Sequence, residues 1–102
     1  MRFLCPRLGR LVELTVERAV HIARRHPDLV LEDPQLIALA LADPDRVRRS
    51  RRSPSAVLFS RQHGGRHIVV VVENEAAPQR SWIITAYLAR RLAGGEVEWQ
   101  RG

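Results

Sequence analysis

The most constraining stretch of this chain is Ile68-Val69-Val70-Val71-Val72. Consecutive β-branched residues lose rotamer freedom in a helix but pack well on a pleated surface, so His67 to Val72 reads as a strand in the middle of a sheet. Gln62-His63-Gly64-Gly65-Arg66, just before it, reads as a hairpin turn, with Ala56 to Arg61 as the partner strand. A polar loop from Glu73 to Arg80 leads to a third strand, Ser81 to Tyr87. Leu88 to Gly95 is expected to form a short helical turn ending at Gly94-Gly95, ahead of a terminal Glu96-Val97-Glu98-Trp99.

The first half reads differently. Met1 to Gly9 is expected to be a loose arm and Leu11 to Leu14 a first strand. Thr15 suits an N-cap for a helix reaching about Arg25, because Pro27 disfavours helical geometry at His26. At 100° per residue, Val16, Ala19, Val20 and Ala23 share one face, expected to enter the core, and Arg18, His21 and Arg25 gather on the opposite one. His26 follows at the helix end. A second helix is expected from Asp33-Pro34, an N-cap followed by proline, through the apolar run Leu36 to Ala42, and Asp43-Pro44 ends it. Five arginines then fall within the seven residues 46 to 52, a run that reads as a solvated loop or face. The expected fold class is therefore α+β: N-terminal helices packed on a small antiparallel sheet, in a single domain over 1–102 with a core of about 11–101.

Charge narrows the partners. Seventeen basic residues, every one an arginine, stand against eleven acidic ones and give a net charge of +6. Arginine's planar fork binds phosphate in bidentate fashion, so the balance favours a nucleic-acid partner. The longest unbroken apolar run, Leu36 to Ala42, is far too short to span a membrane, and the N-terminus lacks the apolar core of a signal peptide. A single cysteine, Cys5, cannot form an internal disulfide, and a reduced, cytoplasmic protein is the expectation. His63 and His67 flank the Gly-Gly turn, and no second ligand pair has metal spacing, so neither metal nor cofactor is expected.

The ordered blocks resemble a family. Glu17-Arg18-Ala19-Val20-His21-Ile22-Ala23-Arg24-Arg25-His26-Pro27-Asp28-Leu29 looks like the signature helix of the phage-associated nuclease-fold proteins, named for barnase, EndoU, the tRNA-cutting colicins and RelE. Asp43-Pro44-Asp45, Val57-Leu58-Phe59-Ser60-Arg61, Ile68 to Val72, Ile84-Thr85-Ala86-Tyr87 and Gly95-Glu96-Val97-Glu98-Trp99 follow in matching order, so that the resemblance spans Leu11 to Arg101. It implies a RelE-like helix-then-sheet fold and metal-independent endoribonuclease activity, in a toxin or phage-borne effector. The alternatives are an inactive member that binds RNA or a protein such as an antitoxin or immunity protein, and a phage assembly accessory.

Cleavage by 2′-hydroxyl attack needs a base, an acid and positive charge on the transition state. On helix geometry alone, His21 and His26 read equally as a solvated residue and a helix-end cap, or as a proton-transfer pair, for which histidine's near-neutral pKa is suited. The resemblance favours the pair. Thr85 and Tyr87 lie two apart on one strand and so share a face; they are ordinary strand residues unless, as the resemblance implies, their hydroxyls meet phosphate or base. The chain departs from EndoU-type sites in having no lysine, and from barnase-type sites because Glu13 and Glu17 sit at the wrong helix end. Arg25 or Arg61 has to take the lysine's electrostatic role. Arg61, on a strand face with Val57 and Phe59, is expected to clamp phosphate, and Arg18, Arg46, Arg48, Arg49, Arg51 and Arg52 to contact the RNA backbone.

Overall fold

The computed structural model describes residues 1–29, 34–76, 79–92 and 94–102. Among these the chain runs β1 (Arg2–Cys5), β2 (Arg10–Glu13), α1 (Val16–Arg25), α2 (Gln35–Ala42), β3 (Arg46–Arg49), β4 (Ala56–His63), β5 (Arg66–Glu75), β6 (Arg80–Ala89) and β7 (Glu96–Gln100). The described strands form one seven-stranded sheet in the order β1-β2-β6-β5-β4-β3-β7. Each neighbouring pair is antiparallel except β2 and β6, which run parallel and meet at Glu13 and Trp82.

The expected fold class does not hold: two short helices accompany a large mixed sheet, rather than packing on a small antiparallel one. Three segments account for the difference. The supposed loose arm contains β1, whose Phe3 and Cys5 point into the core and whose register with β2 runs from Arg2 opposite Glu13 to Cys5 opposite Arg10. The first half of the arginine run is β3, hydrogen-bonded to β4 on one side and β7 on the other. The supposed helical turn starts with Leu88 and Ala89, which still belong to β6, and its described remainder is irregular, with no helix; position 93 lies outside the described residues. Strands this short carry little apolar periodicity, and pairing with neighbouring strands stabilises them instead.

The central hairpin follows its pattern. β4 and β5 pair from Ala56 opposite Glu73 to His63 opposite Arg66, around the tight turn at Gly64-Gly65. Alternation then gives the sheet two unlike faces. Val57 and Phe59 from β4, Ile68, Val70 and Val72 from β5, and Ile83 and Ala86 from β6 form one face, buried together with Phe3, Val12, Ile22, Ile37 and Leu41. α2 packs over β1, β4 and β5, and α1 against β6. The other face carries Leu58, Val71, Ile84, Thr85 and Tyr87, all half-buried.

Helix α1 begins as expected, with the Arg18 N–H donating to Thr15 Oγ1 at 3.2 Å. Its core face is not the expected one. Val16 is 79% exposed and Val20 44%, whereas Ile22 is fully buried. The contact line runs through Ala19, Ile22 and the flanking Leu29, which turns Arg18, His21 and Arg25 towards β6 instead of away from the body of the protein. For α2, the expected cap Asp33 lies outside the described residues; the described part starts with Pro34 in the cap position and buries Ile37, Ala40 and Leu41. No helix among the described residues is long and apolar enough to cross a membrane.

Candidate functional site

β2 meets β6 only at the start of the latter, and α1 runs beside the rest. Between them is an open groove of about 410 Å³, lined by Arg18, His21, Arg25 and His26 from the helix and by Ile84, Thr85 and Tyr87 from the strand. A bulge in the β5–β6 pairing shapes the strand wall: Val71 opposes Thr85 and Val72 opposes Ile83, which leaves Ile84 as the extra residue. Ile84 and Thr85 thereby both line the groove although they are consecutive.

The helix end and the strand touch through aromatic rings. His26 closes α1, its N–H donating to the Ile22 carbonyl at 2.8 Å, and its ring lies 5.7 Å from that of Tyr87 with the planes inclined by 37°. On the other side of Tyr87 is Arg48. Register puts Arg48 on the same sheet face as Leu58 and Val71, and the residue is only 2% exposed. One Nη of its guanidinium donates to the Gly94 carbonyl at 2.9 Å. Burial draws the Arg48 pKa below the ordinary arginine range; the adjacent Tyr87 side chain opposes this, electrostatically and by a hydrogen bond, while Arg46 adds to it. Arginine stays protonated nonetheless, so a fixed cation sits beside Tyr87.

Six residues singled out from sequence, Arg18, His21, Arg25, His26, Thr85 and Tyr87, thus meet in one groove. Arg51 and Arg52 line an adjoining cavity on the same sheet face. The others are elsewhere. Arg61 projects from the helix-covered face, beside Ile68 in register, and binds the Asp43 carbonyl at 2.6 Å and its Oδ2 at 2.9 Å. Arg49 also points to that face and pairs with Glu98. Arg46 lines a separate hollow with Asp45, Gln62 and His67. Of Arg25 and Arg61, the two residues between which the lysine-like role was left open, Arg25 lines the groove and Arg61 does not.

Charge pairing separates the same residues. Among the described residues Arg49, Arg61, Arg66 and Arg101 each hold a carboxylate, whereas Arg18, Arg25, Arg51 and Arg52 are in no ion pair. Cations with carboxylate partners stabilise the surface locally, and those without are available to a polyanion. Sequence reasoning missed Ile84, the burial of Arg48, and Leu58 and Val71 on the same face. Alternation from Thr85 and Tyr87 across the sheet was the signal for the last two. Among the described residues no group of three or more His, Cys, Asp or Glu is placed to hold a metal ion. Comparison of the chain with protein-family models, curated proteins and solved structures found no match.

Proposed function

We propose that this protein is an endoribonuclease that cleaves RNA at the α1–β6 groove by attack of a 2′-hydroxyl, without needing a metal ion. The supporting observation is the convergence of two imidazoles, two guanidiniums and two hydroxyls on one open groove. One imidazole takes the proton from the 2′-hydroxyl as its oxygen bonds to phosphorus. The bond from phosphorus to the 5′-oxygen breaks, and the other imidazole gives that oxygen a proton. The products are a 2′,3′-cyclic phosphate and a 5′-hydroxyl. Arg18 and Arg25 offset the charge that develops on the phosphorane oxygens, and Thr85 and Tyr87 supply hydrogen bonds to orient the phosphate. The resemblance to the phage-associated nuclease-fold proteins in the Arg18–His26 and Thr85–Tyr87 blocks supports the same chemistry.

The test is incubation with total RNA and with translating ribosomes in EDTA, beside His21→Ala and His26→Ala. Cleavage that persists in EDTA, ends in cyclic phosphate and disappears in both variants is the expected result. A folded protein that cuts RNA in neither setting sinks the nuclease reading and favours a binding or assembly role instead.

A further inference from the structure

Beyond Tyr87 the open sheet face deepens into a second cavity of about 700 Å³, within the range of sites that enclose small molecules. Its floor is apolar, made by Leu58, Val71 and Ile84 with the ring of Tyr87. Ile84 and Tyr87 also line the α1–β6 groove, so the two hollows adjoin and share these two residues. The walls are of different character. One is the turn 50–53, which Ser50 holds in shape by accepting the N–H groups of Arg52 at 3.2 Å and Ser53 at 3.4 Å, leaving Arg51 and Arg52 exposed at the rim. The other is Gly94-Gly95, both at positive φ, tied down by the Arg48 guanidinium on the Gly94 carbonyl.

An apolar pleated floor bounded by an aromatic ring, with Arg51 and Arg52, in no ion pair among the described residues, at the rim, suits a flat ring carried on an anionic backbone. We propose that this cavity seats one unpaired nucleobase of the RNA, with its flanking phosphate held by Arg51 and Arg52, so that the protein takes RNA as a single strand. The proposal rests on the reading of the neighbouring groove as the cleavage site. A base within an A-form duplex is stacked on both sides and cannot lie on a sheet floor, whereas a base in a single strand or loop can be splayed onto one.

Binding is measured by fluorescence anisotropy with short 2′-fluoro RNA oligonucleotides, which lack the attacking hydroxyl. The ligands are the single strand, the same strand with one abasic nucleotide at successive positions, and the perfectly paired duplex. The expected result is a single strand bound about ten-fold or more tighter than duplex, and an abasic penalty of about ten-fold confined to one position. Val71→Trp, which fills the cavity, should weaken the intact strand by a similar factor and abolish the abasic penalty. Arg51→Ala and Arg52→Ala should weaken intact and abasic strands alike. Equal affinity for strand and duplex, or an abasic penalty that survives Val71→Trp, overturns the proposal. Leu58→Phe replaces Val71→Trp if that variant does not fold, and the arms using the unaltered protein are decisive by themselves. Because these ligands cannot be cut, the outcomes separate: a confined abasic penalty in a protein that cleaves no RNA keeps the cavity and discards the nuclease. His21-dependent cleavage without such a penalty discards the cavity alone.

Discussion

His26, at the end of α1, lays its imidazole against the ring of Tyr87 in β6, with centroids 5.7 Å apart. The contact joins the two elements that wall the groove and orients an imidazole that helix geometry alone leaves free at a helix end. Its worth in stability is small, about 1 kcal/mol for a tilted ring pair. Its expected worth in cleavage is larger. His26→Ala should lower RNA cleavage by about 10²–10⁴-fold, the usual contribution of an acid or base, while thermal unfolding shifts by only a few degrees. Tyr87→Phe keeps the ring contact and loses the hydroxyl, so it should retain more activity than Tyr87→Ala; single-turnover rates on one RNA separate the three variants.

The arginine run should divide by burial. Arg48→Ala removes a buried cation that holds the Gly94 carbonyl, and urea unfolding should register a loss of about 1.5–3 kcal/mol from the charged hydrogen bond alone. Arg51→Ala and Arg52→Ala should change stability by no more than about 0.5 kcal/mol, as exposed substitutions do. They should instead flatten the salt dependence of binding to single-stranded RNA, each by about 0.7 in the slope of log affinity against log salt. Equal stability losses across the three variants would contradict this division.

Gly95 is required by both conformation and space. It has φ +74°, and a Cβ there would sit 2.9 Å from the Arg49 carbonyl oxygen and 3.3 Å from the Arg48 Cβ. Gly95→Ala should cost about 1–3 kcal/mol from the positive φ alone, with the close approach to backbone added. Gly64→Ala has a similar φ of +61° but nothing within 4 Å, so it should cost less. Denaturation midpoints of the two variants give the comparison.

Acid should loosen the C-terminal clamp. The Asp43 pKa is lowered mainly by hydrogen bonds from Arg101 and Arg61, and that of Asp45 mainly by the Gln62 N–H, with Arg101 assisting. Both carboxyls release their protons more readily folded than unfolded. Their contribution is therefore present above the ordinary aspartate pKa of about 3.9 and is lost as pH falls through the lower folded values. Unfolding measured from pH 6 downwards should show stability falling below about pH 4, with a shallower fall in Asp43→Asn and Asp45→Asn. A fall unaltered in both variants would assign the acid sensitivity elsewhere.

What the sequence made legible follows from where periodicity is strong. The β-branched run at 68–72 and the Gly64-Gly65 turn located the central hairpin, because one residue type and one turn dominate there. Thr15 and Pro27 bounded α1 by local stereochemistry. β1 is a four-residue edge strand paired only with β2, too short to show a period, and β3 and β7 pair with each other across about fifty residues, so Arg46 to Arg49 read as a charged loop although its hydrogen bonds run to β4 and β7. Helical spacing groups Arg18, His21 and Arg25, and the structure has them line one groove, but the pattern turns them to the solvent side because the exposed Val16 and Ala23 outweigh the single buried Ile22 in it. Arg61 was misplaced for a related reason. Its position beside Phe59 was right, but the face they share is the covered one, and its carboxylate partner Asp43 comes from the segment after α2.

The central claim, that RNA lies in the α1–β6 groove, is tested most directly by amide and imidazole chemical shifts during titration with a short 2′-fluoro single-stranded RNA. The expected perturbations gather at Arg18, His21, Arg25, His26, Thr85 and Tyr87 and leave Arg61 and Asp43, on the opposite face, unmoved. Shifts centred on Arg61 and Asp43, or no shifts in the groove at RNA concentrations that saturate binding, would contradict it.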